Sequence, residues 1–346
     1  MKLVLRAACA AMVLAGAPGW ALAGAQANKI TLMVGGIEKI IYLPAKLAEQ
    51  LGYFAAQGLE VELRSETAGV EAKDALLSGA VQGVVGFYDH TIALQAKGKA
   101  VQSVVQFTLS TGEAELVSAR MAGKIRSPAD FSGRNLGVTG LGSSTNFLTR
   151  YLALLHGVKP SDVSIIPVGA GNTFIAAMQQ GTIDAGMTTE PTISRLLKAG
   201  EAKILVDLRR PEHVEKVLGG LYPASCLYMR TAWVDSHKPQ VQGLVNALVG
   251  ALHYIHVHSA EEIASRVPAH YHAGDRSTYV RALAESRVIF TPDGRMPASG
   301  PPTVLKVMST IDRNVQDKSI DLSRTYSTEF VAAARHELPV AVAAER

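Results

Sequence analysis

Residues 137 to 149 read GVTGLGSSTNFLT, carrying an apolar strand pattern into a helical one through two glycines, two serines and a threonine. The chemistry such a turn can do is to hold an anion. A helix's first turn presents peptide N–H groups without intrahelical acceptors, together with the positive end of the helix dipole. Gly140 and Gly142 permit close backbone approach, and Ser143, Ser144 and Thr145 add hydroxyl donors. The plainer reading is that one serine only caps the helix. The turn lacks the G-x-x-x-x-G-K-[ST] and G-x-G-x-x-G nucleotide patterns and the G-x-S-x-G elbow, which favours binding over catalysis.

Other polar turns have a similar character. GAGNTF (169 to 174) offers Asn172 and Thr173 at a helix start, and MTTEP (187 to 191) places Glu190 before a proline. In the first half of the chain, GGIEKIIY (35 to 42) and GFYDHT (86 to 91) follow strand patterns and bring Glu38, Lys39, Tyr42, Phe87, Tyr88, Asp89 and His90. In an open parallel sheet, ligands sit beyond the carboxyl ends of the strands. The two sets of loops are therefore expected to face each other across one cleft. Each aromatic has core packing as its alternative, and Glu190 is free to face solvent or to pair with Arg150 or Arg195.

The elements that must position these residues alternate. ITLMV (30 to 34), LEVEL (59 to 63), VQGVVGF (81 to 87) and VQSVVQF (101 to 107) read as strands, separated by helical patterns over 41 to 54, 69 to 77 and 91 to 96. After a short polar patch, STGE (110 to 113), the rhythm restarts. ELVSA (115 to 119), NLGVT (135 to 139), SIIPV (164 to 168), DAGMT (184 to 188) and KILVD (203 to 207) are strands, with helices over 146 to 156, 173 to 180 and 191 to 198. Repeated β-α units imply parallel sheets flanked by helices, here in two lobes of similar size. From about Trp233 the pattern is mainly helical.

Composition sets the limits. The chain has 346 residues, 48% hydrophobic and 18% charged, which suits a globular protein with a large core. Its formal net charge of +4 is too small and scattered to argue for nucleic acid. Lys2 and Arg6, the apolar run Ala7 to Leu14 and the A-x-A patterns at 21 to 23 and 25 to 27 read as a secretory signal peptide over residues 1 to 27. Its apolar run is short of the roughly 20 residues that span a bilayer. Removing Lys2 and Arg6 from the 34 basic residues leaves 32 against 30 acidic ones. Cleavage also removes Cys9, so Cys226, in the apolar run CLYM, has no partner for an internal disulfide and reads as a buried structural thiol. The histidines of HYIHVH (253 to 258), with His270 and His272, carry no H-E-x-x-H or cysteine pattern and read as solvated helix residues, so no metal or cofactor is expected.

Taken in order, YLPAKLAEQLGYFAAQGLEVEL, GVEAKDALLSGAVQGVVG, IRSPADFSGRNLGVTGLGSSTNFLTRYL, AAMQQGTIDAGMTTEP and TPDGRMP resemble the periplasmic substrate-binding proteins of ABC importers in the nitrate, sulfonate and taurine group. That group includes relatives of the thiamine-pyrimidine synthases. The resemblance runs from about Ile30 to Met308. It implies an α/β clamp of the type II periplasmic-binding-protein kind, each lobe a mainly parallel sheet flanked by helices, with two hinge crossings. Lobe 1 would comprise 28 to 111 plus 232 to 346, and lobe 2 112 to 231. It further implies a monomeric periplasmic protein, not an enzyme, that closes on a small ligand and docks on a membrane permease. Ligand contacts carried over from the resemblance are Lys39, Tyr42, Phe87, Tyr88, Asp89, Ser143, Ser144, Thr145, Asn172, Thr173 and Glu190. Carboxylates at Asp89 and Glu190 would repel a bare inorganic anion. A small organic anion, a sulfonate, carboxylate or amino-sulfonate, is the expected ligand. Alternatives are a thiamine-pyrimidine precursor, a related enzyme, a metal-binding protein or a sensor subunit. The fungal synthases carry a cysteine-rich loop and a substrate-supplying histidine, whereas this chain without its leader has one cysteine.

Overall fold

The computed structural model describes residues 29–334. The leader, Cys9 and the terminal VAVAAER lie outside the described residues. Two five-stranded sheets form the frame. The first contains β1 (Lys29–Val34), β2 (Glu60–Ser65), β3 (Gly83–Phe87) and β4 (Val101–Gln106), with β10 (Ser225–Arg230) inserted, in the order β2-β1-β3-β10-β4. The second contains β5 (Glu113–Ser118), β6 (Asn135–Val138), β7 (Ser164–Pro167), β8 (Ala185–Thr189) and β9 (Ala202–Leu208), in the order β7-β6-β8-β5-β9. Helices cover both sheets, which is why β3 and β8 are buried at every residue rather than at alternate ones.

The two sheets are built alike. In each, three strands run parallel, and a fourth, β10 or β5, inserts antiparallel between the parallel set and an edge strand. Both inserted strands shift register against that edge, at Leu227/Tyr228 and at Glu115/Leu116. β10 departs from the sequence expectation that 112 to 231 belongs to the second lobe, because it is hydrogen-bonded between β3 and β4 of the first. A short apolar run such as SCLYMR specifies burial but not which sheet it completes. A second departure is the helix Pro211–Leu218, which buries Val214 and Leu218 just before that strand.

The chain crosses between lobes twice, after β4 and after β9, and the crossings are tied together. Ser110 Oγ donates to the Arg209 carbonyl at 2.8 Å, Thr111 Oγ1 to the Leu208 carbonyl at 2.9 Å, and Ala224 N to the Thr108 carbonyl at 3.2 Å. Hydrogen bonds to backbone carbonyls fix the two segments as one hinge.

One continuous hydrophobic core fills the first lobe and the C-terminal helices. It takes in Phe147, Leu148, Tyr151 and Leu152 from the second-lobe helix Ser144–Leu155. Leu155, on the same helical spacing, instead reaches solvent at 53% exposure. The second lobe otherwise holds two small clusters, one around Phe174, Ile183 and Ile193, the other around Phe131, Leu136 and Ala185. Among the described residues no helix is long and apolar enough to cross a membrane.

Candidate functional site

The carboxyl ends of β1 and β3 face those of β6 and β8, and the lobes are in contact there. Ile40 N donates to the Glu190 carbonyl at 3.1 Å across the boundary. A Cβ on Gly140 would sit 3.0 Å from Ala68 Cβ of the other lobe, so only glycine allows this approach. Between the lobes lies a small cavity with about 10 Å³ of room, about that of one water. Its walls include Lys39, Tyr42, Phe87 and His90 from the first lobe, Glu113 at the hinge, and Thr139, Ser143, Ser144, Thr145 and Thr189 from the second.

Lys39 reaches the cavity because the loop after β1 folds back on itself. Gly36 has φ +108°, and a Cβ there would meet the Lys39 side chain at 2.5 Å. The ammonium donates to the Gly35 carbonyl at 2.6 Å and the Thr67 carbonyl at 3.4 Å. Burial brings its pKa down to about 8, against the pull of Glu113 and Glu71. Tyr42 and Phe87 meet edge to face, ring centres 6.4 Å apart. His90 is buried and neutral, its pKa held at about 3 by burial first and then by Lys73 and Lys97. Its 3.6 Å approach to Asp89 is therefore no ion pair.

Glu113 opens β5 opposite Thr189 and is held well above the usual carboxylate range by burial and by Asp89, with Lys39 acting the other way. Asp89 stands behind the wall. It accepts from the Tyr222 hydroxyl at 3.2 Å, and burial lifts it to about 6, against the nearby Ser144 and Tyr222 hydroxyls. Deeper in the second lobe, Glu115 accepts from Thr149 Oγ1 at 2.8 Å, and burial lifts it to about 8.

The helix start is organised before any ligand arrives. Ser143 Oγ caps Asn146 N at 3.4 Å and donates to the Gly140 carbonyl at 2.7 Å, while Thr145 Oγ1 accepts from Thr139 N at 3.0 Å. Both readings of the serines thus hold, since Ser143 is the cap and Ser144 is free of that task. Thr189 Oγ1 and Glu113 Oε2 are buried with no partner among the described residues, and the buried Ser144 hydroxyl has only the neighbouring Asp89 carboxyl beside it. These are donors and acceptors for holding a molecule. The one thiol among the described residues, Cys226, is buried within β10, and burial raises its pKa far above the usual range.

Lys39, Tyr42, Phe87, Ser143, Ser144 and Thr145, all expected from the sequence, come together on this cavity. Other expected residues do not. Tyr88 turns away: its hydroxyl bonds Thr325 Oγ1, so neighbours at a helix start point to opposite sides. Asn172 and Thr173 are exposed, Asn172 Oδ1 accepting from Arg195 at 2.7 Å and Thr173 Oγ1 donating to the Ala170 carbonyl at 3.0 Å. Glu190 is buried, but its charge is spent on Arg209 at 3.0 Å and Ser194 N at 2.9 Å, not on Arg150 or Arg195. With Lys39, Glu190 lines an outer chamber of about 310 Å³ together with Ile37, Pro191, Arg195 and Tyr271. Glu113 and Tyr222 carry no signal as cleft residues in the sequence, while Thr139 and Thr189 lie within the polar turns GVTGLGSSTNFLT and MTTEP without standing out from them. Glu113 stands in STGE, which is as polar as any linker.

Among the described residues no cluster of three His, Cys, Asp or Glu side chains is placed to hold a metal. His256 bonds the Thr291 carbonyl at 3.1 Å, His272 bonds the Ala264 carbonyl at 3.0 Å, and His258 stacks on Tyr254 at 3.6 Å.

Residues 42–262, more than half of the chain, match the family described as NMT1/THI5 like. The chain belongs to that family. A solved structure from Bordetella bronchiseptica RB50 is 35% identical, with a TM-score of 0.86 over 88% of this chain and 96% of that one. The periplasmic nitrate-binding protein NrtA of Synechocystis PCC 6803, 12% identical, shares the fold at a TM-score of 0.68 over 89% of this chain and 88% of its own. The two five-stranded sheets thus form a type II periplasmic-binding-protein architecture. Among curated proteins, the bicarbonate-binding protein CmpA of Synechococcus sp. is 26% identical over 247 residues, 64% of this chain. The chain spans about half of CmpA's length, 53%.

Proposed function

We propose that this chain is an extracytoplasmic solute-binding protein that closes on a small organic anion and delivers it to the permease of an ABC importer. The observation that carries the reading is the inner cavity, walled by both lobes with buried polar atoms and joined through Lys39 to the outer chamber. The inner space has room for about one water as it stands, so an anionic head enters it only as the lobes part. The first-turn N–H groups of Ser144 and Thr145, the Ser144 hydroxyl and Lys39 supply its donors. The outer chamber suits an organic remainder, with Ile37, Pro191 and Tyr271 as apolar wall.

Glu113 on the cavity wall and Asp89 behind it select among anions. Both are easily protonated, so they can donate to an acceptor or, once ionised, attract an amine on the ligand. An amino-sulfonate or amino-carboxylate satisfies both kinds of group at once. Family membership and the fold of NrtA support a binding role.

The test is a thermal-shift panel of sulfonates, carboxylates, amino-sulfonates, bicarbonate, nitrate and pyrimidines. A ligand present at about a hundred times its dissociation constant stabilises by about 2.7 kcal/mol, a shift of several degrees. A hit among the organic anions is the expected result. A hit confined to nitrate or bicarbonate overturns the ligand class, and no shift across the panel overturns the binding reading.

A further inference from the structure

A second pocket, of about 700 Å³, opens where both lobes meet the C-terminal helices, and it shares no wall residue with the outer chamber beside Lys39. Its charged lining is one-sided. Lys73 and Lys97 come from the first lobe, Arg150 from the second and Arg313 from the C-terminal segment, against Asp312 alone. Asp312 is already engaged, its Oδ1 accepting from Asn314 N at 2.9 Å and Asn314 Nδ2 at 3.0 Å. Lys73 has the exposed Asp74 at 3.6 Å, and among the described residues Lys97, Arg150 and Arg313 enter no ion pair. His90 lines this pocket at 1% exposure, and neither of its ring nitrogens has a hydrogen-bond partner among the described residues. Burial first, and then the charges of Lys73 and Lys97, keep His90 neutral.

We propose that this pocket binds a multiply charged oxyanion, of the phosphate, sulfate or polycarboxylate kind, and that the anion ties the lobes together. Cations from opposite lobes repel one another when the lobes approach, and an anion between them reverses the sign of that term. Arg313 offers a planar fork suited to oxyanion geometry, Arg150 offers the donors left after its Nη2 bonds the Ile311 carbonyl at 3.0 Å, Lys73 and Lys97 offer compact charges, and Asn146 adds an amide donor. Because Arg150 and Lys97 sit on different lobes, binding here favours the closed clamp and so raises the affinity of the inner cavity, with which this pocket shares the His90 wall.

The experiment is calorimetry with inorganic phosphate and with citrate, against sodium chloride at matched ionic strength, followed by X-ray scattering. The expected result is saturable binding of one anion per chain with a smaller radius of gyration. The double variant Lys97→Gln/Arg313→Gln, at two exposed positions, should weaken that binding at least tenfold, while Glu113→Gln in the inner cavity leaves it unchanged. Arg150→Gln repeats the reading if the double variant melts early. Equal affinity in the pocket variants, an equal response to chloride, or an affinity altered by Glu113→Gln would each overturn the proposal.

Discussion

The two walls of the inner cavity are made of different chemistry. The first lobe presents Lys39 and His90, with Asp89 close behind, while the second presents the hydroxyls of Thr139, Ser143, Ser144, Thr145 and Thr189. Their foundations differ as well. The ionisable wall stands on one continuous core, which the helix of the hydroxyl wall shares through Phe147, Leu148, Tyr151 and Leu152, while the rest of the second lobe rests on two small clusters. Burying an ionisable group costs far more than burying a hydroxyl, so such groups belong where dense packing already excludes water. The second lobe lines the cavity with hydroxyls and keeps its buried carboxylates, Glu115 and Glu190, paired with Thr149 and Arg209. In this account the first lobe reads the ligand's charge, and the second reports that the lobes have shut.

The largest effect should come from obstructing the hydroxyl wall. Ser144→Trp places a ring where the lobes meet, and ligand affinity by calorimetry should fall by more than tenfold. Unchanged affinity would remove the helix start from the site. Next is the charge at the hinge. Glu113→Gln, which fixes the neutral form, should weaken an amine-bearing ligand about tenfold and change a purely anionic one less than about threefold; no loss with the amine would show that Glu113 does not sense the ligand.

A third prediction compares the walls through stability. Burial lifts Glu115 from an ordinary carboxylate value to about 8. The fold therefore favours its protonated form, and that contribution is complete below about pH 4.5 and is lost as pH rises toward 8, by at most about 1.4 kcal/mol per unit. Glu115→Gln cannot ionise. Its denaturant midpoint should match the natural protein near pH 5 and exceed it above pH 8, by about 1–3 kcal/mol. Parallel pH profiles would mean that Glu115 is not held protonated. The smallest effect on binding is expected at Glu190. Because its carboxylate serves Arg209 and Ser194 N, Glu190→Gln should lower stability by about 1 kcal/mol and change ligand affinity less than threefold. A larger affinity change would return Glu190 to the ligand.

The sequence made one wall more legible than the other. The hydroxyl wall is a contiguous run, Ser143 to Thr145, at a helix start that glycine and serine announce locally. The ionisable wall is assembled from β1, β3 and β5, whose neighbourhood is tertiary. Lys39 and Asp89 were readable because both follow strand patterns. Glu113 was not, since a carboxylate at a crossing looks like any linker residue until Thr189 is laid beside it. The same holds for Glu190, whose partner Arg209 lies beyond the end of β9. Nine of the ten strands follow from apolar runs. The tenth, β10, carries no alternation to announce an inserted antiparallel strand. The inward turn of Phe87 and the outward turn of Tyr88 depend on local backbone direction, which residue type does not encode.

The most direct test of the central claim is native mass spectrometry of the protein purified gently from its native cells, run beside Ser144→Trp. The account predicts one small organic anion retained per chain in the natural protein and lost in the variant. The same molecule retained equally by both, or none retained by either, would contradict capture between these two walls.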